Sequence, residues 1–143
     1  MKIAKIALMA GAALLFASPA AAQDAWMTQV NAQLTAVLEA LDGEGLTPAT
    51  EPVGGALAAG AGEDIELELS AGSYVIVGVC DTDCSDLDLV LSSADGEVDS
   101  DVATDDVPVV TVELTRATTL NLHVVMAACS SAPCRYGVGV FSN

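Results

Sequence analysis

The sequence predicts an all-β fold, an antiparallel β-sandwich of about seven or eight strands, preceded by a signal peptide and one amphipathic helix. From residue 63 onward, apolar side chains recur at every second position in short runs, with turn signals such as Asp95-Gly96 between the runs. Before residue 45 they recur at the helical period instead. Short alternating runs at regular spacing are typical of a sandwich or a barrel.

The N-terminus has the pattern of an export signal. Lys2 and Lys5 precede an apolar stretch over residues 6–16, and Ala20-Ala21-Ala22 provides a small-residue cleavage site before Gln23. A basic start, a short apolar stretch and a small-residue site are the three parts of a secretory signal. We therefore expect residues 1–22 to be removed and the protein to be periplasmic or extracellular in a bacterium.

Residues 23–45 are expected to form the amphipathic helix. One apolar stripe follows the helical period and is made of Trp26, Val30, Leu34, Val37, Leu38 and Leu41. Gly43 and Gly45 are typical of a helix C-terminus. The stripe fits two roles, packing against the domain core or association with another surface. Residues 46–62 follow as a linker rich in Gly and Ala that includes a first edge segment, and residues 63–143 form the sandwich.

The strands differ in how many of their faces are expected to be buried. Ile65, Leu67 and Leu69 alternate with Glu66 and Glu68, which indicates a strand with one solvated face. Residues 74–79 are apolar at nearly every position, as in a central strand covered on both sides. Further inward rows lie within residues 87–91, 110–114, 120–126 and 136–140, and Val98 and Val102 mark a short acidic return strand.

The charge balance excludes whole classes of partner. The 143 residues include 20 acidic and 4 basic side chains, and only Arg116 and Arg135 remain basic once the signal is removed. Nucleic acid and anionic membrane surfaces are bound through clusters of Lys and Arg, which this chain lacks. Cations, basic proteins and apolar surfaces remain as partners, and we expect a protein or an envelope component.

Four cysteines lie downstream of the signal, which in an exported chain predicts two disulfides. The local pairs Cys80–Cys84 and Cys129–Cys134 are favoured, and pairing between the two loops is the alternative. Zinc binding is disfavoured because the spacings C-x3-C and C-x4-C depart from the usual C-x2-C.

An acidic stretch is the best candidate for a metal site. The candidate calcium ligands are Asp81, Asp83, Asp86, Asp88, Asp99 and Asp101. Calcium takes six to eight oxygen ligands, which clustered carboxylates supply. The alternative is a solvated acidic edge that prevents strands of different molecules from pairing. No other cofactor is required.

Four short motifs resemble the bacterial pre-peptidase C-terminal (PPC) domain over residues 54–141. They are the strand entry Gly72-Ser73-Tyr74, the strand Asp86-Leu87-Asp88-Leu89, the hairpin Asp95-Gly96 and the closing strand Tyr136-Gly137-Val138-Gly139-Val140. The second "G-x-Y" entry of that family appears here as Ala117-Thr118-Thr119-Leu120. The resemblance implies a jelly-roll-like β-sandwich without catalysis, of the kind appended to secreted enzymes, some of whose relatives bind calcium.

The expected function is therefore a non-catalytic, exported binding or accessory module that is stabilised by calcium. The alternatives are a small secreted hydrolase or an enzyme inhibitor, and a purely structural envelope protein. The hydrolase requires His123, the single histidine, to meet an activated nucleophile in a pocket. The alternation of the sequence instead predicts that His123 points to solvent.

Overall fold

A computed structural model describes the backbone of residues 19–143 and the side chains from residue 25 onward. The described part contains helix α1 (Pro19–Asp42) and nine strands. The strands are β1 (Thr47–Pro48), β2 (Val53–Leu57), β3 (Gly62–Leu69), β4 (Gly72–Cys80), β5 (Cys84–Ser93), β6 (Gly96–Asp101), β7 (Val109–Leu114), β8 (Thr118–Cys129) and β9 (Cys134–Ser142).

The strands form two antiparallel sheets. Sheet A has the order β1-β9-β4-β7, and β2 pairs with β9 beside β1. Sheet B has the order β3-β8-β5-β6. The chain passes from sheet B to sheet A between β6 and β7, so those two edge strands lie on the same side of the sandwich. The predicted all-β sandwich preceded by one helix is confirmed.

The core lies between the sheets and consists of the rows that the alternation predicted. In β5, Leu87, Leu89 and Leu91 are fully buried, and in β8 Leu122 and Val124 are as well. Fully burying one such side chain contributes roughly 1.5–3 kcal/mol. The solvated face predicted for Ile65–Leu69 follows the same rule, since Glu66 and Glu68 are exposed beside the buried Leu67 and Leu69.

Helix α1 packs on the outer face of sheet A, which is the first of the two roles expected for its apolar stripe. Val30 and Leu34 are buried there together with Val79 of β4. They lie over two glycines of β9. A Cβ built on Gly137 would stand 2.7 Å from Val30 Cγ1 and 2.8 Å from Leu34 Cδ1, so the helix approaches where the strand has no side chain. Outward-facing glycines therefore provide the surface for the helix.

Helix α1 runs from Pro19 to Asp42, and Gly43 and Gly45, the glycines expected at its C-terminus, follow it. The helix ends at Asp42, and Gly45 has φ +83° in the turn that follows. It begins at Pro19, ahead of the predicted start, so its first residues overlap the predicted signal. The greater part of that signal lies outside the described residues. Within the described residues, no helix is long and apolar enough to cross a membrane.

The predicted linker, residues 46–62, contains β1 and β2. Its glycines are used for close packing, because a Cβ on Gly55 would stand 2.5 Å from Glu63 Oε1 and 2.8 Å from Tyr136 Cε1. The Tyr136 hydroxyl donates to Glu63 Oε1 over 2.5 Å. Burial of the ring, and then this carboxylate, raise the pKa of Tyr136. The Gly and Ala content thus reflects an edge strand packed closely over an aromatic ring.

Candidate functional site

The two disulfides lie at one end of the sandwich and join the predicted local pairs, Cys80–Cys84 and Cys129–Cys134. The Cα atoms are 5.9 and 6.0 Å apart, an ordinary separation for a disulfide. Cys84 and Cys129 lie directly opposite each other in β5 and β8. The alternative pairing between the loops is therefore not the one adopted. Two disulfides indicate a non-cytoplasmic environment.

Asp81, the first candidate calcium ligand, is only 2% exposed and has both carboxylate oxygens occupied. Its Oδ2 accepts the Arg135 amide at 2.7 Å, and its Oδ1 accepts the Asp83 amide at 3.2 Å. The Asp81 amide in turn donates to the Arg135 carbonyl at 3.0 Å. Asp81 therefore extends the β4–β9 ladder beyond Cys80 and fixes the disulfide loop. A charged hydrogen-bond partner of this kind satisfies buried amides.

Asp99 and Asp101 point from β6 towards the free edge of β7. Asp101 Oδ2 accepts the Val109 amide, and Asp99 Oδ2 accepts the Thr111 amide, each at 2.8 Å. In the antiparallel pairing of β7 with β4, these two amides point away from β4 and donate no hydrogen bond to it. These two candidate ligands thus join the edge strands of the two sheets.

Asp86 and Asp88 are different, because their carboxylates have no partner among the described residues. Leu87, between the two acids, and Leu89, after Asp88, face the core, so both acids lie on the outer side of β5. Asp86 Oδ1 is buried without a hydrogen-bond partner. Burial, and then the charges of Asp86, Asp101 and Asp105, raise the pKa of Asp88. We call this group of four residues, Asp86, Asp88, Asp101 and Asp105, the acidic corner.

The fold explains why the acidic corner is crowded. The β5–β8 pairing changes register on both sides of Asp86, and such bulges redirect side chains. The loop between β6 and β7 then lies against β5, because the Leu87 amide donates to the Asp105 carbonyl at 2.9 Å. Asp105 lies outside the six predicted ligands, and only this nonlocal contact brings it close.

The six predicted calcium ligands therefore fall into two groups. Asp81, Asp99 and Asp101 already accept backbone amides, whereas Asp83, Asp86 and Asp88 accept none with their side chains. In the described part of the chain, no set of three or more His, Cys, Asp or Glu side chains is arranged as a ready metal site. Calcium binding stays a prediction, and the donors that fit it are the unpartnered carboxylates of the acidic corner.

His123 lies on the outer face of sheet B, as predicted, with 42% of its side chain exposed. Its Nδ1 is 2.8 Å from Asp64 Oδ1, which also accepts the Asn121 amide group at 3.0 Å. The hydrogen bond from Asn121, and then that from His123, lower the pKa of Asp64. The Asp64–His123 pair therefore joins the neighbouring strands β3 and β8 on the outer face of sheet B.

A groove of about 270 Å³ lies between α1, β9 and the segment that contains β1. Leu34, Leu38 and Phe141 form its apolar part, and Asn31 and Thr35 supply polar groups. None of the residues that line it is charged. The groove depends on the position of the helix, and its neutral chemistry sets it apart from the acidic corner.

The fold and the two disulfides define the class of protein. It is a small disulfide-containing β-sandwich from a non-cytoplasmic environment. No protein-family model matches the chain, and no curated protein matches it either.

Proposed function

We propose that this protein is an exported, non-catalytic binding or accessory module of the PPC type, periplasmic or extracellular, that calcium stabilises at its acidic corner. The observation that carries the proposal is the unpartnered, buried Oδ1 of Asp86 beside Asp88. A buried carboxylate oxygen without a donor is costly, and a cation removes that cost.

Electrostatics supports the same corner. The raised pKa of Asp88 reflects burial and three neighbouring carboxylates, so negative charges meet here without a basic side chain to offset them. Calcium prefers carboxylate oxygens and accepts water for the rest of its shell. Asp86 and Asp88 would hold the ion directly, and Asp105 would add charge.

Export is supported by two independent features. The N-terminal sequence has the three parts of a secretory signal, and both disulfides require an oxidising compartment to form and persist. The four motifs that resemble the PPC domain lie within the sandwich, and they support an accessory role beside other exported proteins.

The test is thermal unfolding in millimolar calcium and in EDTA. A bound ion stabilises the folded chain by about 2.7 kcal/mol at about 100 times its Kd, so Tm should rise with calcium. The variant Asp86→Asn should lose that rise. The variant Glu66→Gln, which removes an exposed carboxylate from the outer face of sheet B, should keep it. Equal Tm values in calcium and in EDTA for the parent chain would contradict the calcium site.

A further inference from the structure

The loop between β6 and β7 exposes apolar side chains to an unusual degree for this molecule. Val102 is 62% exposed, and Val107 and Val109 are 41% and 42% exposed. Of the five largely exposed large apolar residues in the described part, four lie between residues 98 and 109. Exposed apolar side chains that cluster indicate an interaction surface, whereas scattered ones do not. We call residues 102–109 the valine turn.

The valine turn is held in one conformation by Asp101, which precedes it, and by Asp105 within it. Asp101 accepts the Val109 amide at 2.8 Å with one oxygen and the Ala103 amide at 3.3 Å with the other. Asp105 Oδ1 accepts the Val107 amide at 3.0 Å, and the Asp105 carbonyl accepts the Leu87 amide. A surface that is already ordered loses less entropy when a partner binds.

Charge decides which partner fits. Asp105 and Asp106 are exposed within the turn, and the acidic corner lies beside it. From residue 19 onward the chain has only two basic side chains apart from its histidine, and one of these, Arg135, is buried. A second copy of this chain would therefore bring like charge to the turn. The complementary partner is basic, with apolar side chains to cover the valines.

The edge of β7 also restricts how the partner binds. An added strand would need the outward amides of Val109 and Thr111, and both already donate to Asp101 and Asp99. The partner is therefore held through side chains. This differs from recognition by strand addition, in which main-chain hydrogen bonds supply the affinity.

We propose that the valine turn binds a basic polypeptide segment in which Lys or Arg alternates with apolar residues. The apolar residues cover Val102 and Val109, and the basic residues pair with Asp105 and Asp106. The proposal rests on the proposed role as a binding module and names its partner class.

The probe is a synthetic peptide of alternating lysine and leucine, titrated into the full chain in EDTA at low ionic strength. An analogue with glutamine in place of lysine is the charge control. The pair Val102→Thr/Val109→Thr keeps the side-chain shape and should weaken binding about tenfold through lost apolar burial. The pair Asp105→Asn/Asp106→Asn should weaken it several-fold. The pair Glu66→Gln/Glu68→Gln makes the same charge change on sheet B and should leave the affinity unchanged.

The outcomes separate the two proposals. Loss of affinity in both turn variants but not in the Glu66/Glu68 control, with binding abolished in about 1 M salt, supports the valine turn. Parent-like affinity in both turn variants overturns the valine turn but keeps a binding module, since the peptide then uses another face. Equal loss in all three variants overturns it as well, because net charge alone then explains binding. If the parent chain does not bind the peptide, both the turn and the binding of basic partners fail, whereas the calcium melt tests the acidic corner separately.

Discussion

Asp101 of β6 accepts the backbone amide of Val109 of β7 at 2.8 Å, so a side chain of sheet B caps the open edge of sheet A. Asp99 does the same for Thr111 two residues along. An uncovered edge offers its amides to any other strand, and β7 is rich in valine, which favours strand pairing. The acidic residues of β6 therefore close the sandwich and protect its edge.

Replacing both carboxylates should open that edge. For Asp99→Ala/Asp101→Ala we expect a loss of about 1–3 kcal/mol in the free energy of unfolding, because hydrogen bonds to two charged acceptors disappear, including those from the Val109 and Thr111 amides. We also expect self-association, because two outward amides of β7 become available. Urea denaturation measures the first effect and light scattering measures the second.

The matched control for the edge is Asp95→Ala. Asp95 is an exposed acid of the β5–β6 hairpin whose side chain caps no strand. This variant should remain monomeric and nearly as stable as the parent. If the control self-associates to the same degree, the loss of charge explains the effect. The proposal that Asp99 and Asp101 cap the edge of β7 would then be wrong.

The contact between α1 and sheet A makes a second prediction at Gly137. In Gly137→Ala the new methyl group would meet Val30 and Leu34 at less than 3 Å, so these side chains or the helix that carries them must shift. Overpacking of this kind costs about 1–3 kcal/mol. The fluorescence of Trp26, the single tryptophan, should change, and proteolysis within α1 should become faster.

Two further variants make the Gly137 result specific. Gly137→Ala/Leu34→Ala removes the leucine that the methyl group meets and should restore part of the protease resistance. Gly43→Ala places a Cβ at an ordinary 3.4 Å from the Ala40 carbonyl and should leave the helix unchanged. Parent-like proteolysis of Gly137→Ala would show that the helix does not depend on close approach to β9.

The fold was predictable to the extent that it depends on local periodicity. Leu87, Leu89 and Leu91 alternate with polar or smaller residues, and this alternation alone assigns them to the core. The segment before β3 was predicted as a linker rich in Gly and Ala with a first edge segment, and it contains β1 and β2. Here Gly55 is needed inside β2 to let Tyr136 and Glu63 meet, and that contact joins residues far apart in the sequence.

The candidate site was less predictable, for the same reason. The spacing of the aspartates shows which side chains share a strand face but not which amides a sheet edge leaves unpaired. Whether Asp101 binds an amide or stays free depends on β7 lying beside β6, which is a contact between the edges of the two sheets. The sequence left open which aspartates beyond residue 98 approach Asp86 and Asp88, and Asp105 does so because its carbonyl accepts the Leu87 amide.

Removing either disulfide should have a modest effect. The pairs Cys80–Cys84 and Cys129–Cys134 close loops of sequence separation 4 and 5, for which chain entropy contributes about 2 kcal/mol. Cys80→Ala/Cys84→Ala should therefore fold with a reduced free energy of unfolding, measured by urea denaturation without reductant. Cys129→Ala/Cys134→Ala provides the comparison. A chain that fails to fold without one pair would contradict this modest contribution to stability.

The acidic corner makes the last prediction, measured in EDTA. The pKa of Asp88 is raised in the folded chain, so at neutral pH its charge opposes folding, and this penalty is relieved as pH falls through the folded pKa. Asp88→Asn should therefore be more stable than the parent at pH 7, by about 0.5 kcal/mol. The difference should disappear below the unfolded pKa of about 3.9.

Asp64→Asn is the control of opposite sign. Hydrogen bonds from Asn121 and His123 lower the pKa of Asp64, so its charge favours folding above the unfolded pKa, and this contribution is lost as pH falls through the folded value. That variant should be less stable than the parent at pH 7 and should approach it in acid. If Asp88→Asn instead destabilises the chain at pH 7, the Asp88 carboxylate takes part in a favourable contact. The acidic corner is then not a site of charge repulsion that a cation would relieve.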